Sequence, residues 1–181
     1  MDSDWSAQVL HFWFEELPPE AWFRADPATD DAIRGQFLRL YRRLRDQPVE
    51  TLATDPQHIL AAIVVLDQFS RNMFRNSPEA FAGDRQALAL ANVAVAEELD
   101  LQLTPAERQF VYMPFQHDED PVSQRRAVDL FTALGNAEAL SYARHHKGII
   151  ERFGRFPHRN AILGRRSTPE EIAFLNAEPS S

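Results

Sequence analysis

The chain contains no cysteine, which excludes disulfides, thiolate metal sites and a cysteine nucleophile together. Long apolar runs are missing too: Ile59 to Leu66 spans eight residues, against the roughly 20 that cross a bilayer. The opening MDSDWSAQ is acidic where a signal peptide starts basic. A cytoplasmic protein without a membrane segment is the expectation. No GxxxxGK[ST], GxGxxG or GxSxG loop occurs, so the common phosphate-cradling turns and the strained serine elbow are absent. No stretch alternates apolar and polar residues with β-branched enrichment, so no strand is expected. Lysine is almost lacking, one of 19 basic residues, a bias that genome composition explains before any selection for bidentate anion contacts. A net charge of −8 and a pI near 5.2 make nucleic acid an unlikely partner, because backbone binding rests on many Lys and Arg contacts to phosphate.

Helix punctuation is plentiful. Six prolines directly follow a good N-cap residue: Asp26-Pro27, Asp55-Pro56, Ser77-Pro78, Thr104-Pro105, Asp120-Pro121 and Thr168-Pro169. The cap side chain accepts from an orphan amide of the first turn, and proline fits the next position because its missing donor is not needed there. Thr104 with Glu107 and Thr168 with Glu171 add the capping-box spacing. Apolar spacing between these starts predicts helices over 5–14, 27–45, 56–70, 78 or 84–99, 105–114, 121–134, 137–152 and 169–175. Pro114 is expected to end or kink its helix, and Gly135 to stop the helix before it, so that 121–134 and 137–152 form an antiparallel hairpin. The 56–70 segment is apolar on every side and belongs at the centre. The expectation is one all-α domain over 1–181, about eight helices around that central rod, with 1–4 and 176–181 frayed and the loops 17–26 and 46–55 as mobile candidates.

Three polar groups interrupt this scaffold. Asp67, Gln68, Arg71, Asn72 and Arg75 emerge one helical turn apart at the end of the rod. They either tie down the helix end through its dipole and free carbonyls or form part of an anion pocket. The second group, Phe110 to Asp120 with Tyr112 among its candidates, sets His117 beside three acids. His117 oriented by Glu119 is a candidate general base, but consecutive ligands on one turn are not a metal spacing, so no metal or other cofactor is expected. The third group is the most distinctive. Between Arg144 and Arg166 there are seven basic residues against one acid, and Arg155, His158, Arg159, Asn160 and Arg165 stand among Phe153, Phe156, Gly154 and Gly164. Guanidinium forks bind phosphate or carboxylate bidentately, and the glycines permit special backbone; the same arginines could equally bond helix ends and the acids of their own chain.

Phe12-Trp13-Phe14, Trp22-Phe23, the 67–75 group, Phe110-x-Tyr112-x-Pro114-x-x-His117-x-Glu119 and the long run from His146 through IIERFGRFPHRNAILGRRSTPEE resemble, in order and over nearly the whole chain, the uncharacterised bacterial family DUF924. The resemblance implies a tetratricopeptide-like fold of stacked antiparallel helix pairs and adds His146 to the candidate residues; it implies no activity. Two functions are open on these residues. One is an Arg- and His-lined pocket for a small anionic ligand, with His117, His158 or Glu119 as catalytic candidates. The other is a tetratricopeptide-like groove for a peptide or protein, without catalysis.

Overall fold

The computed structural model describes residues 5–177. Among them there is helix and no strand, the all-α architecture that the caps predict. The contact pattern divides the chain into two compact units, Met1–Arg75 with Glu79–Pro114, and Asn76–Pro78 with Phe115–Ser181.

In the first unit, α1 (Trp5–His11) continues into a π-helical turn, Phe12–Glu16. α2 (Pro27–Arg45) starts where its cap predicts: Asp26 accepts from the Thr29 amide at 3.1 Å and from the Thr29 hydroxyl at 2.7 Å. Short α3 (Val49–Leu52) and a 3-10 turn at Pro19–Ala21 occupy the two stretches expected to be loops. The rod runs from α4 (Pro56–Ile63) through a π-helical turn, Val64–Phe69, into α5 (Ser70–Met73), and every residue from Ile59 to Ser70 is buried. Burying one such aliphatic side chain contributes about 1.5–3 kcal/mol, which makes the rod the hydrophobic centre of its unit. Pro78 opens only a 3-10 turn; α6 (Asp84–Ala96) begins later, after Gly83. A Cβ on Gly83 would stand 2.5 Å from the Leu66 carbonyl oxygen, so this approach of α6 to the rod requires glycine.

α7 (Pro105–His117) corrects the expectation at Pro114, since the helix continues one turn past the proline. Proline removes one amide donor from the ladder, but Phe115 and Gln116 beyond it are buried, and that packing outweighs the lost bond. The Thr104–Glu107 capping box forms in both directions, at 2.8 Å and 3.3 Å.

In the second unit, α8 (Pro121–Leu134) and α9 (Ala137–Phe153) form the expected hairpin, with Gly135 left-handed at φ 78° and Asn136 accepting from the Ala139 amide. The buried stripe of α8 is Gln124, Ala127 and Phe131; that of α9 carries Ala139 and Ala143. Gly154 (φ 72°) and Gly164 (φ 67°) turn the chain at either end of the segment after α9, where a side chain would be strained. A 3-10 turn, Pro157–Arg159, lies between them, and α10 (Pro169–Ala177) ends the described chain. Of the predicted frayed ends, 1–4 and 178–181 lie outside the described residues, while 176 and 177 belong to α10.

Candidate functional site: a histidine and arginine cluster around Phe156

Within the second unit the turn after α7 and the loop after α9 are stitched together. Glu119 accepts from both terminal nitrogens of Arg165, at 2.8 and 2.9 Å, and from the Phe156 amide at 2.8 Å. Burial opposes its ionisation most strongly, yet the Arg165 and Phe156 hydrogen bonds outweigh it and hold the carboxyl below its ordinary range. Arg165 also donates to the Asn160 side-chain oxygen at 2.9 Å. Arg155 forks onto Glu171 at 2.8 and 2.9 Å, and the same carboxylate accepts from the Thr168 amide and from Asn160. The Arg155 contact first, then the Thr168 amide, lowers Glu171 to about 2. Thus the capping box at Thr168 anchors the arginine loop as well as starting α10.

Arg159 differs in setting. Its Nη2 donates to the His117 carbonyl at 2.8 Å, and its guanidinium lies 4.7 Å from the centroid of the Phe156 ring, a cation–π geometry. The same ring touches His146 edge-on at 5.4 Å and His158 at 5.5 Å. His146 is forced neutral: burial above all, then His117, His145, His158 and Arg159, push it down to about 3. Phe156 is therefore the hub on which His146, His158 and Arg159 meet. His158 is exposed, whereas Phe156 and Arg159 are buried.

The rod-tip group lies in the other unit and is tied down there. Arg71 forks onto Asp84 at 2.7 and 2.9 Å and reaches the carbonyl and carboxylate of Asp67, which Gln68 also contacts at 2.6 Å. Burial alone would favour loss of the Arg71 proton, but Asp67 and Asp84 outweigh it and raise its pKa. Arg75 and Asn72 both hold Asp30. The Tyr112 hydroxyl donates to Asp100 at 2.5 Å and accepts from Arg108; burial first, then Asp100, push it up to about 12.

The structure thus brings together His117, Glu119, His146, Arg155, His158, Arg159, Asn160 and Arg165 in one unit, and Asp67, Gln68, Arg71, Asn72, Arg75 and Tyr112 in the other. Sequence reasoning missed Gln116 and Gln124. Both are buried, and in both the side-chain oxygen has no hydrogen-bond partner. The Gln124 amide nitrogen donates to the Gln116 carbonyl at 2.8 Å and to the Asp118 carbonyl at 2.6 Å, on either side of the carbonyl that Arg159 holds. The available signal was an amide at an inward position of α8, in register with Ala127 and Phe131. Among the described residues no group of three or more His, Asp and Glu side chains is placed to hold a metal ion, and no helix is long and apolar enough to cross a membrane.

The profile of the family described as "Bacterial protein of unknown function (DUF924)" matches residues 9–179. A solved structure of a protein of unknown function from Agrobacterium tumefaciens is similar to this chain at 36% identity and a TM-score of 0.90, covering 96% of this chain and 97% of that one. A search of curated proteins returned no match. The chain belongs to the DUF924 family.

Proposed function

We propose that this member of the DUF924 family binds a small phosphate- or carboxylate-bearing ligand within its second unit, at the cluster around Phe156. The observation that carries this reading is the setting of Arg159: its guanidinium lies against the Phe156 ring, which also touches His146 and His158, while Arg155 and Arg165 of the same loop are forked onto Glu171 and Glu119. On this reading Arg155, Arg165, Glu119 and Glu171 are positioning residues. They hold the loop so that Arg159 meets the anion. His146, kept neutral, supplies a hydrogen bond and no charge. His117 and His158 are the groups available for proton transfer to a bound ligand. In the first unit, Arg71 and Arg75 act as framework for the rod.

A thermal-shift screen of phosphate, phosphate monoesters and small carboxylates tests this directly. A ligand at 100 times its Kd should add about 2.7 kcal/mol to stability. His158→Ala, at an exposed position, should weaken that shift and leave the far-UV helix signal unchanged. If no anion moves the melting temperature, the loop is framework only and the peptide-groove reading takes its place.

A further inference from the structure

We propose that the aromatic surface of Phe14, Trp22 and Phe23, in the first unit, docks an arginine side chain carried by a basic segment of a partner protein. The inference is independent of the anion site, which lies in the second unit. Phe23 is the most exposed phenylalanine of the chain, with 60% of its surface open. One face of its ring lies on the buried Phe110 ring, nearly parallel at 18° and 6.0 Å between centroids, so the exposure belongs to the other face. Trp22 stands beside Phe23 at 80° and 6.4 Å, and Phe14 meets Trp22 at 75° and 5.6 Å. The surface is fixed before any partner arrives: the Trp22 indole donates to the Trp13 carbonyl at 2.8 Å and meets Phe110 edge-on at 5.1 Å. Rigid aromatic groups lose little conformational entropy on binding.

Charge selects the occupant. The π-helical turn Phe12–Glu16 carries Glu15 and Glu16, and the 3-10 turn Pro19–Ala21 carries Glu20. All three acids are exposed, and the Phe14–Trp22 contact brings the two turns side by side. His11 lies 2.9 Å from Glu15 and 3.5 Å from Glu16, whereas Glu20 has no ion pair among the described residues. Arg24 acts on the Asp26 carboxyl. Carboxylates around an aromatic face attract a cation and repel an anion. Guanidinium suits the place better than ammonium, because it is planar, stacks flat on a ring and offers its N–H fork to a carboxylate. Half-buried phenylalanines elsewhere in this chain take that partner: Arg34 lies 5.8 Å from the Phe74 ring, Arg71 5.5 Å from Phe81 and Arg152 4.6 Å from Phe153. Among the described residues no arginine covers Phe23. A ring this open covers one side of a guanidinium and cannot enclose a small molecule, whose sites bury most of the ligand; the arginine therefore arrives on a chain that makes further contacts.

Calorimetric titration of the full chain with acetylated, amidated tri-arginine tests the inference, with tri-lysine, tri-leucine and tri-glutamate as comparators. Tri-arginine should bind most tightly. Phe23→Leu keeps an apolar side chain and removes the ring, and should weaken tri-arginine about three-fold or more while erasing its advantage over tri-lysine. Glu20→Gln should weaken both cationic peptides. Both positions are exposed, so the far-UV helix signal should stay; if Phe23→Leu disturbs it, Glu20→Gln and the peptide series decide. Equal affinities for tri-arginine and tri-lysine, or a tri-arginine affinity that Phe23→Leu leaves unchanged, reduce the effect to general attraction by an acidic chain and overturn the proposal. Tightest binding by tri-leucine assigns an apolar occupant and overturns it as well, as does failure of tri-arginine to bind. None of these outcomes alters the thermal-shift result with anions, which reads the other unit.

Discussion

The two units use the same residue types to opposite ends. In the first, Arg71 and Arg75 and the amides Gln68 and Asn72 are consumed by Asp67, Asp84 and Asp30, and Tyr112 is consumed by Asp100. In the second, an equally dense set of arginine, carboxylate and amide leaves two glutamine oxygens and a neutral histidine unmet. Overall charge runs the other way. Residues 1–114 carry 18 acids and ten bases, whereas 115–181 carry nine of each. The two sets of arginine, carboxylate and amide groups therefore differ in the completeness of their pairing, and the number of charges does not report it.

The sharpest way to break this comparison is to unpair the frame. Arg71→Ala removes the cation that the fully buried Asp67 and its neighbour Asp84 share, and should cost about 3–5 kcal/mol of unfolding free energy in urea. A loss under about 1 kcal/mol, the scale of a surface pair, would show that the rod tip is no more committed than the loop.

Acid acts on the second unit through His146. The unfolded chain takes up a proton near pH 6.5 and the folded chain only near 3, so the unfolded state binds more protons between those values and stability falls as pH drops through that window. The slope from this single group reaches about 1.4 kcal/mol per pH unit, and His146→Phe should flatten it in denaturation curves taken from pH 7 to 4.

Smaller effects separate the amides. Gln116→Met removes a buried acceptor that has no partner, and should change stability by less than about 1 kcal/mol, because deleting an unsatisfied group offsets the lost packing. Gln124→Met also releases two carbonyls and should be the more harmful of the two; equal losses would mean that the orientation of Gln124 is not what holds the turn. Glu171 yields the smallest signal. Its carboxylate is held well below the ordinary range, so its contribution is complete above about pH 4.5 and fades as pH falls toward 2. Faster amide exchange confined to the arginine loop in that range is the expected readout. The chain also crosses between the units three times, for which a single calorimetric transition is the expected outcome; two transitions would define two domains.

Much of the scaffold was readable because its determinants are local. Asp26, Asp55, Asp120 and Asn136 each accept from an amide two or three residues on, and such caps depend on neither partner nor environment. Pro114 misled for the converse reason: local chemistry says stop, and burial of the following turn overrules it. The arginine loop could be located from composition, but Arg155 and Arg165 find their acids 16 and 46 residues away, a separation at which no spacing rule operates. Gln116 and Gln124 passed unnoticed because an amide looks the same whether its oxygen faces a donor, solvent or an unfilled site.

By itself the sequence determined where helices begin, that they are all the regular structure among the described residues, which helix is buried all round, and which loop concentrates positive charge. Each follows from interactions within a turn or from periodicity along one element. Tertiary structure alone decided which arginines are neutralised, that His146 is held uncharged, and which buried acceptors remain open. Those properties depend on distances between side chains on different elements and on the solvent removed around them, and packing sets both.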